Sequence, residues 1–350
     1  MKLPVLLFSF LLFGCSRFVY LTKQAPEQIK LMVSGEKNVD LIKSDVVSEK
    51  IKKKLKLIKK SKEFFEQTLE VDTGDAYEKT IMLDREAVSY LAIRSKVNKI
   101  NSIKECFPLF GCFPYLGFFK KSDAEEFLSF EKDDVSTYLR PVYAYSSLGK
   151  YSDRVLSPFF RFSDRKLVEL IFHELLHHVF FIKDEVTVNE NLATFFAKTM
   201  THNFFKEVKV SSNEEVSEET KNKKERLRNK KRVLLVEMIN NLNKDKKFRK
   251  INSNQESKAY IKSQIEHLNK KLRNDCLELN LTSCVFNPEK WNAARLSEYK
   301  TYRSKQHFFE KLYESEFENL KSFFNFLVKR YKSFEKSSSK KSFVEYLKSR

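Results

Sequence analysis

The chain has 350 residues and carries 66 Lys and Arg against 47 Asp and Glu, a formal net charge of +19. Only 6 Gly and 7 Pro are present, where average usage would give about 40 together; that scarcity disfavours an all-β sandwich or barrel, which turns about every 8–12 residues, and excludes collagen-like or Pro/Gly-rich sequence. At 41% apolar residues with 33 Phe the chain is too hydrophobic to be disordered as a whole, and its length suffices for one large or two ordinary domains. A mainly helical protein with a small β element is the expectation. The positive charge raises nucleic acid or an anionic membrane as partners.

Met1-Lys2 is a short basic start, followed by twelve mostly apolar residues from Leu3 to Gly14 and then Cys15. The run is too short for a membrane-spanning helix, which takes about 20 residues, but suits the core of a secretory signal. Its end, Leu12-Phe13-Gly14-Cys15-Ser16, resembles the bacterial lipoprotein processing site, where a small residue precedes a Cys that is lipidated and becomes the new N-terminus. Residues 1–14 are therefore expected to be a signal peptide and Cys15 a lipid anchor. Four cysteines remain: Cys106, Cys112, Cys276 and Cys284. An even remainder in an exported chain suggests disulfides, and of three connectivities the local pairs are the simplest. A four-Cys zinc site and free thiols are the alternatives.

Apolar residues at helical spacing predict two or three helices over 17–70. Ala87 to Ile93 reads as a strand, and Cys106 to Phe119 as a tight turn or hairpin, holding four of the thirteen Gly and Pro residues between 108 and 117. A helix start follows at Ser122-Asp123, and Val135 to Leu148 suggests a strand pair. Ser163 to Phe181 reads as a helix, with Ser163 and Asp164 as N-caps and an apolar stripe through Leu167, Leu170, Ile171, Leu175 and Val179. A second helix is expected from about Val188 to His202. Residues 206–275 contain no Gly or Pro, and 221–250 alone hold 13 basic and 3 acidic residues; a long helical hairpin or partly disordered insertion is expected there. Residues 289–350 return to a Phe-rich helical pattern. The expected organisation is a signal peptide over 1–14, an anchored N-terminal region and catalytic core over 15–205, a basic helical insertion over 206–285 and a C-terminal helical segment over 286–350 that packs on the core.

The chemistry concentrates in Phe172-His173-Glu174-Leu175-Leu176-His177-His178. His173 and His177 are four apart, so on a helix they share a face and can present two nitrogens to one cation. Glu174 lies beside the first of them, where its carboxylate can reach a metal-bound water. An HExxH pattern arises by chance in about one such sequence in a hundred, and here it falls mid-helix in an apolar stretch. Zinc takes neutral imidazoles and a third protein ligand, keeping one position for water. The pKa of that water falls toward ~7, and Glu174 can take its proton. Glu190 follows His177 after 12 intervening residues, a gap that lets one helix end near Lys183 and a second return antiparallel. Ala193 and Ala197 share its face and would leave room for metal and substrate. Glu185 is the competing ligand, and Thr187-Val188-Asn189-Glu190 also fits a capping box; Glu190 is favoured as the ligand.

With these residues in view, the chain resembles a bacterial family of predicted zinc aminopeptidases, whose members carry an HExxH helix followed by an Asn-Glu-x-x-Ala-Thr helix, here Asn189-Glu190-Asn191-Leu192-Ala193-Thr194. Similar segments include Gln24-Ala25-Pro26-Glu27-Gln28, Pro114-Tyr115-Leu116-Gly117-Phe118-Phe119, Ala144-Tyr145-Ser146-Ser147-Leu148-Gly149 and Asn292-Ala293-Ala294-Arg295-Leu296 with Thr301-Tyr302. The resemblance spans most of 18–205 and 290–315. It implies a zincin-like pair of helices, zinc held by His173, His177 and Glu190, Glu174 as catalytic base, and release of N-terminal amino acids from peptides. An oxyanion stabiliser is needed opposite Glu174; Tyr302 is the choice, with Tyr145 and Arg295 as further candidates. The expected partners are a peptide substrate and, through Cys15, a membrane of the bacterial envelope, on its periplasmic or outer side. The basic stretch lacks interleaved aromatics and any recognised nucleic-acid module, so no nucleic-acid partner is expected. The alternative is a non-catalytic envelope lipoprotein with a structural metal site.

Overall fold

The computed structural model describes residues 19–107, 111–144, 153–207, 218–279, 281, 284–337 and 342–349. The expected signal peptide, Cys15, Tyr145 and the rest of 145–149 lie outside them. The fold is mainly helical, 64% of it, with small sheets of two or three strands. The chain runs α1 (19–33), β1 (Glu36–Lys37), α2 (Asn38–Lys43), α3 (Glu49–Leu69), β2 (Lys79–Ile81), β3 (Ser89–Lys96), β4 (Glu105–Phe107), β5 (Gly111–Phe113), β6 (Leu116–Phe118), α4 (Lys121–Ser129), β7 (Val135–Val142) and β8 (Val155–Leu156). The remainder is helical: α5 (Asp164–Val179), α6 (Val186–Glu207), α7 (Glu218–Leu242), α8 (Asn254–Glu278), α9 (Ala293–Arg303), α10 (Gln306–Glu316), α11 (Leu320–Lys336) and α12 (Phe343–Lys348).

The main sheet has the order β6-β3-β7 and is antiparallel throughout. β3 and β7 pair over eight residues, from Ser89 opposite Val142 to Lys96 opposite Val135. The strand pair expected over 135–148 is thus a single described strand, whose partner is the earlier β3 rather than its own neighbour. A second sheet has the order β1-β2-β8, and β4 and β5 form a hairpin stapled by Cys106–Cys112. Gly111 sits at φ +82°, and a Cβ there would meet the Asp184 carboxylate; only glycine lets the hairpin approach the turn after α5 so closely.

The largest core gathers α3, α5, α6 and α10–α12. Ser48 caps α3, whose Leu55, Ile58, Phe65 and Leu69 are buried on one face. Phe65 stacks on Phe172 of α5, and Phe172 meets Phe204 of α6 edge-on. These late aromatics carry α6 to Glu207, well past the His202 expected from the sequence. A second core joins α7, α8 and α9 to the loop after β3: Leu235 and Ile239 of α7 pack with Ile261, Ile265 and Leu272 of α8, and with Val97 and Ile100. The basic segment is therefore a packed helical hairpin, and Cys276–Cys284 closes its end. α9 also meets the sheet, through Ala294 against Leu91 and Ile93. No helix among the described residues is long and apolar enough to cross a membrane.

Two asparagines fix where α6 begins and what lies over it. Asn189 accepts the Ile182 N–H at 2.9 Å and donates to the Ile182 carbonyl at 2.7 Å, closing the turn between α5 and α6. Asn191, fully buried, donates to the carbonyls of Thr187 and Thr301 and accepts the Lys305 N–H at 2.9 Å, which ties α6 to the end of α9. Glu190 lies between these two anchored residues.

Candidate metal centre

α5 starts cleanly because the Ser163 hydroxyl accepts the Lys166 N–H. Its C-terminal half brings His173 and His177 onto one face, as their spacing predicts. The return of α6 carries Glu190 between them. His173 Nε2 and His177 Nε2 are 3.2 Å apart. Glu190 Oε2 lies 3.3 Å from the first and 3.7 Å from the second. Ligands about 2.0–2.2 Å from a tetrahedral zinc stand about 3.3–3.6 Å from one another, so these three donor atoms fit a single ion. They form the one group of three or more potential ligands among the described residues that could hold a metal.

The electrostatics of the cluster follow from its burial. Burial alone would raise the Glu190 carboxyl, but the two imidazoles beside it, His173 and His177, hold it well below the usual carboxylate range. Burial disfavours a charged His177, yet the Glu190 carboxylate beside it raises its pKa overall. Glu174 is raised chiefly by burial, with the two histidines pulling the other way and Glu190 and Asp153 adding to the rise. A carboxyl moved up from its ordinary value is better matched to proton transfer near neutral pH.

His173, Glu174, His177 and Glu190 line one cavity of about 400 Å³, within the range of small-ligand sites. Tyr302 of α9 is on its wall, as are Tyr115, Arg140 of β7 and Phe113 of the hairpin. Burial, with the nearby Glu190 charge next, raises Tyr302 well above the ordinary phenol value. It therefore stays protonated and able to donate. Tyr115 is likewise raised by burial and Glu190, partly offset by the Tyr302 hydroxyl. The Arg140 guanidinium sits 4.6 Å from the centre of the Tyr302 ring and pairs with Glu298, one helical turn before Tyr302 on α9.

Other sequence candidates lie elsewhere. Glu185 accepts the Phe343 N–H at 2.8 Å and so serves the start of α12. Arg295 donates to the Lys290 carbonyl and lies over the rings of Trp291 and Tyr138, away from the cavity wall. Ala193 and Ala197 make no cavity: both are fully buried in the main core, where small side chains let α5 and α6 come close. The capping role open to Glu190 is not taken, since α6 begins four residues earlier, at Val186. Arg140 was not legible from sequence. Its signal is the eight-residue pairing of β7 with β3, which no local pattern shows.

Residues 19–343 match the protein family described as "Putative aminopeptidase". No curated protein and no solved structure matches the chain.

Metal binding requires a neutral imidazole, whereas Glu190 holds the His177 proton to a pH above the ordinary histidine value in the free protein. Affinity for a divalent cation is expected to rise steeply from pH 6 to pH 8, with proton release on binding in weakly buffered solution. Calorimetric titration at the two pH values measures this; an affinity independent of pH would contradict the cluster as the site.

Proposed function

The chain belongs to this family, and we propose that it is a zinc-dependent peptidase, an aminopeptidase, in which His173, His177 and Glu190 hold the ion and Glu174 is the catalytic base. The observation that carries the proposal is the mutual spacing of the three donor atoms, 3.2, 3.3 and 3.7 Å, beside a carboxyl that takes no part in the triplet. The family name supports peptide hydrolysis from the N-terminus. A bound zinc ion supplies Lewis acidity, acidifying a water toward pKa ~7 and polarising the scissile carbonyl.

The rest of the chemistry falls to the chain. Glu174, adjacent to the first ligand on α5, takes a proton from the attacking water and returns it to the departing amine. Its raised pKa suits it to both halves of that transfer. Tyr302, held protonated by its surroundings, donates to the carbonyl oxygen as negative charge develops there. Arg140 lies against the Tyr302 ring and steadies it while bringing positive charge to the same wall. The cavity's apolar residues, including Phe113, Phe118 and Phe181, restrict water around the reacting bond, which strengthens each of these interactions.

The same proposal places the protein at the bacterial envelope, anchored through a lipidated Cys15 and facing the periplasm or exterior. The apolar run ending at Gly14-Cys15 supports it, as do two disulfides in one chain, a feature of oxidising compartments. Its partners are then a peptide substrate and a membrane, with no nucleic acid.

Glu174→Gln is expected to lower kcat on aminoacyl-anilides by about 10²–10⁴-fold while elemental analysis finds one zinc per chain in both proteins. Tyr302→Phe should lower it by about 10²–10³-fold. Equal activity in wild type and Glu174→Gln would sink the mechanism and leave a metal site of structural use. For the anchor, metabolic labelling with a palmitate analogue should mark the wild type and not Cys15→Ser; an unlabelled wild type would rule it out.

A further inference from the structure

A second cavity, of about 440 Å³, opens where the N-terminal turn of α5 meets α6, α7 and α9. Seven cationic side chains face it, from all four helices, against a single lining acid, Glu169. Lys166 pairs with Glu169 at 3.3 Å, and Arg232 is held by both carboxylate oxygens of Glu310. The other five have no acidic partner among the described residues. Arg165 lies over the Phe205 ring, Arg303 lies over Tyr299, and Lys231 donates to the Cys284 carbonyl. Arg228 comes from the most basic stretch of the chain and lines the same cleft from an exposed position.

Lys198 is the least expected of them. Its ammonium donates at 3.1 Å to Gln306 Oε1, a neutral oxygen that Arg232 also uses, at 2.7 Å. Burial, then the charges of Arg303 and Arg232, push its pKa down to about 8. The positive end of the 16-residue α5 faces the cleft as well, through Ser163 and Lys166, and adds to the field there. Like charges on a convex surface repel weakly through water, but in a cleft lined mainly by one sign of charge their field is focused. Such an arrangement is relieved by an anion whose oxygens can accept from several donors at once, as a phosphate does from guanidinium groups.

We propose that this cleft binds a phosphate-bearing anion, either soluble phosphate or the headgroup of an anionic phospholipid. The site stands apart from the metal cluster: no residue lines both cavities. It recruits part of the basic hairpin that the peptidase chemistry leaves unused.

The test is calorimetric titration of the full chain with inorganic phosphate and with dihexanoyl-phosphatidylglycerol. The variants are Arg228→Gln/Arg303→Gln and, as a charge-matched control, Lys258→Gln/Lys270→Gln on the exposed face of α8. Saturable binding is expected in the wild type, weakened at least tenfold by the arginine pair and unchanged by the control. Glu174→Gln should bind as the wild type does, which keeps this result separate from that of the peptidase proposal. A lipid that binds at least tenfold tighter than phosphate identifies the headgroup as the ligand; phosphate binding as tightly identifies the soluble anion. Equal weakening in the two double variants, absence of binding by both probes, or preference for an acidic peptide over both would overturn the proposal.

Discussion

Three polar donor atoms lie within 3.7 Å of one another on helices that bury mainly apolar side chains, and much of the structure is arranged to keep them there. Taking a carboxylate and two imidazoles out of water is costly unless they satisfy one another. Here the Glu190 oxygen lies 3.3 and 3.7 Å from the two rings, and their influence holds its carboxyl low despite burial. The same carboxylate raises the His177 pKa, whereas a metal ligand must be the neutral imidazole. Cluster stability in the free protein and affinity for the ion are therefore opposed.

That geometry is imposed from outside the cluster. Asn189 closes the turn from α5 to α6, and Asn191 binds α6 to α9, so the residue between them has little freedom of direction. The tie to α9 also holds the stretch that carries Tyr302 to the cavity shared with the histidines. Arg140 continues the chain of constraint, joining the β3–β7 sheet to α9 through Glu298 and the Tyr302 ring. The hairpin of β4 and β5, brought close by Gly111, completes the wall. Sheet, hairpin and α9 thus meet the α5–α6 pair at one cavity, although they come from distant parts of the chain.

The α5–α6 pair was readable in the sequence because its information is local. An N-cap serine, a 3.6-residue apolar period and two histidines four apart specify a helix and its face without reference to anything else. Glu190 was reachable because only a short turn separates it from His177. Its neighbour Asn191 could be seen but not interpreted, since Thr301 and Lys305 lie more than a hundred residues away. The β element was located near 108–117 by its Gly and Pro, yet its longest strands, β3 and β7, flank that region and pair across it. Arg295 lies away from the cavity because Trp291, just before its helix, and Tyr138 on β7 hold it there. The positive charge, unassigned by composition, divides into a solvated face of the basic hairpin and a cleft lined by Arg228, Lys231 and Arg232 of α7.

The central claim is that two imidazoles and one carboxylate of this chain surround a single ion. X-ray absorption at the zinc K-edge of the zinc-loaded protein tests it most directly. Two imidazole nitrogens at about 2.0–2.1 Å with oxygen completing the shell are the predicted result. Sulfur scatterers at about 2.3 Å, or an imidazole count other than two, would contradict it.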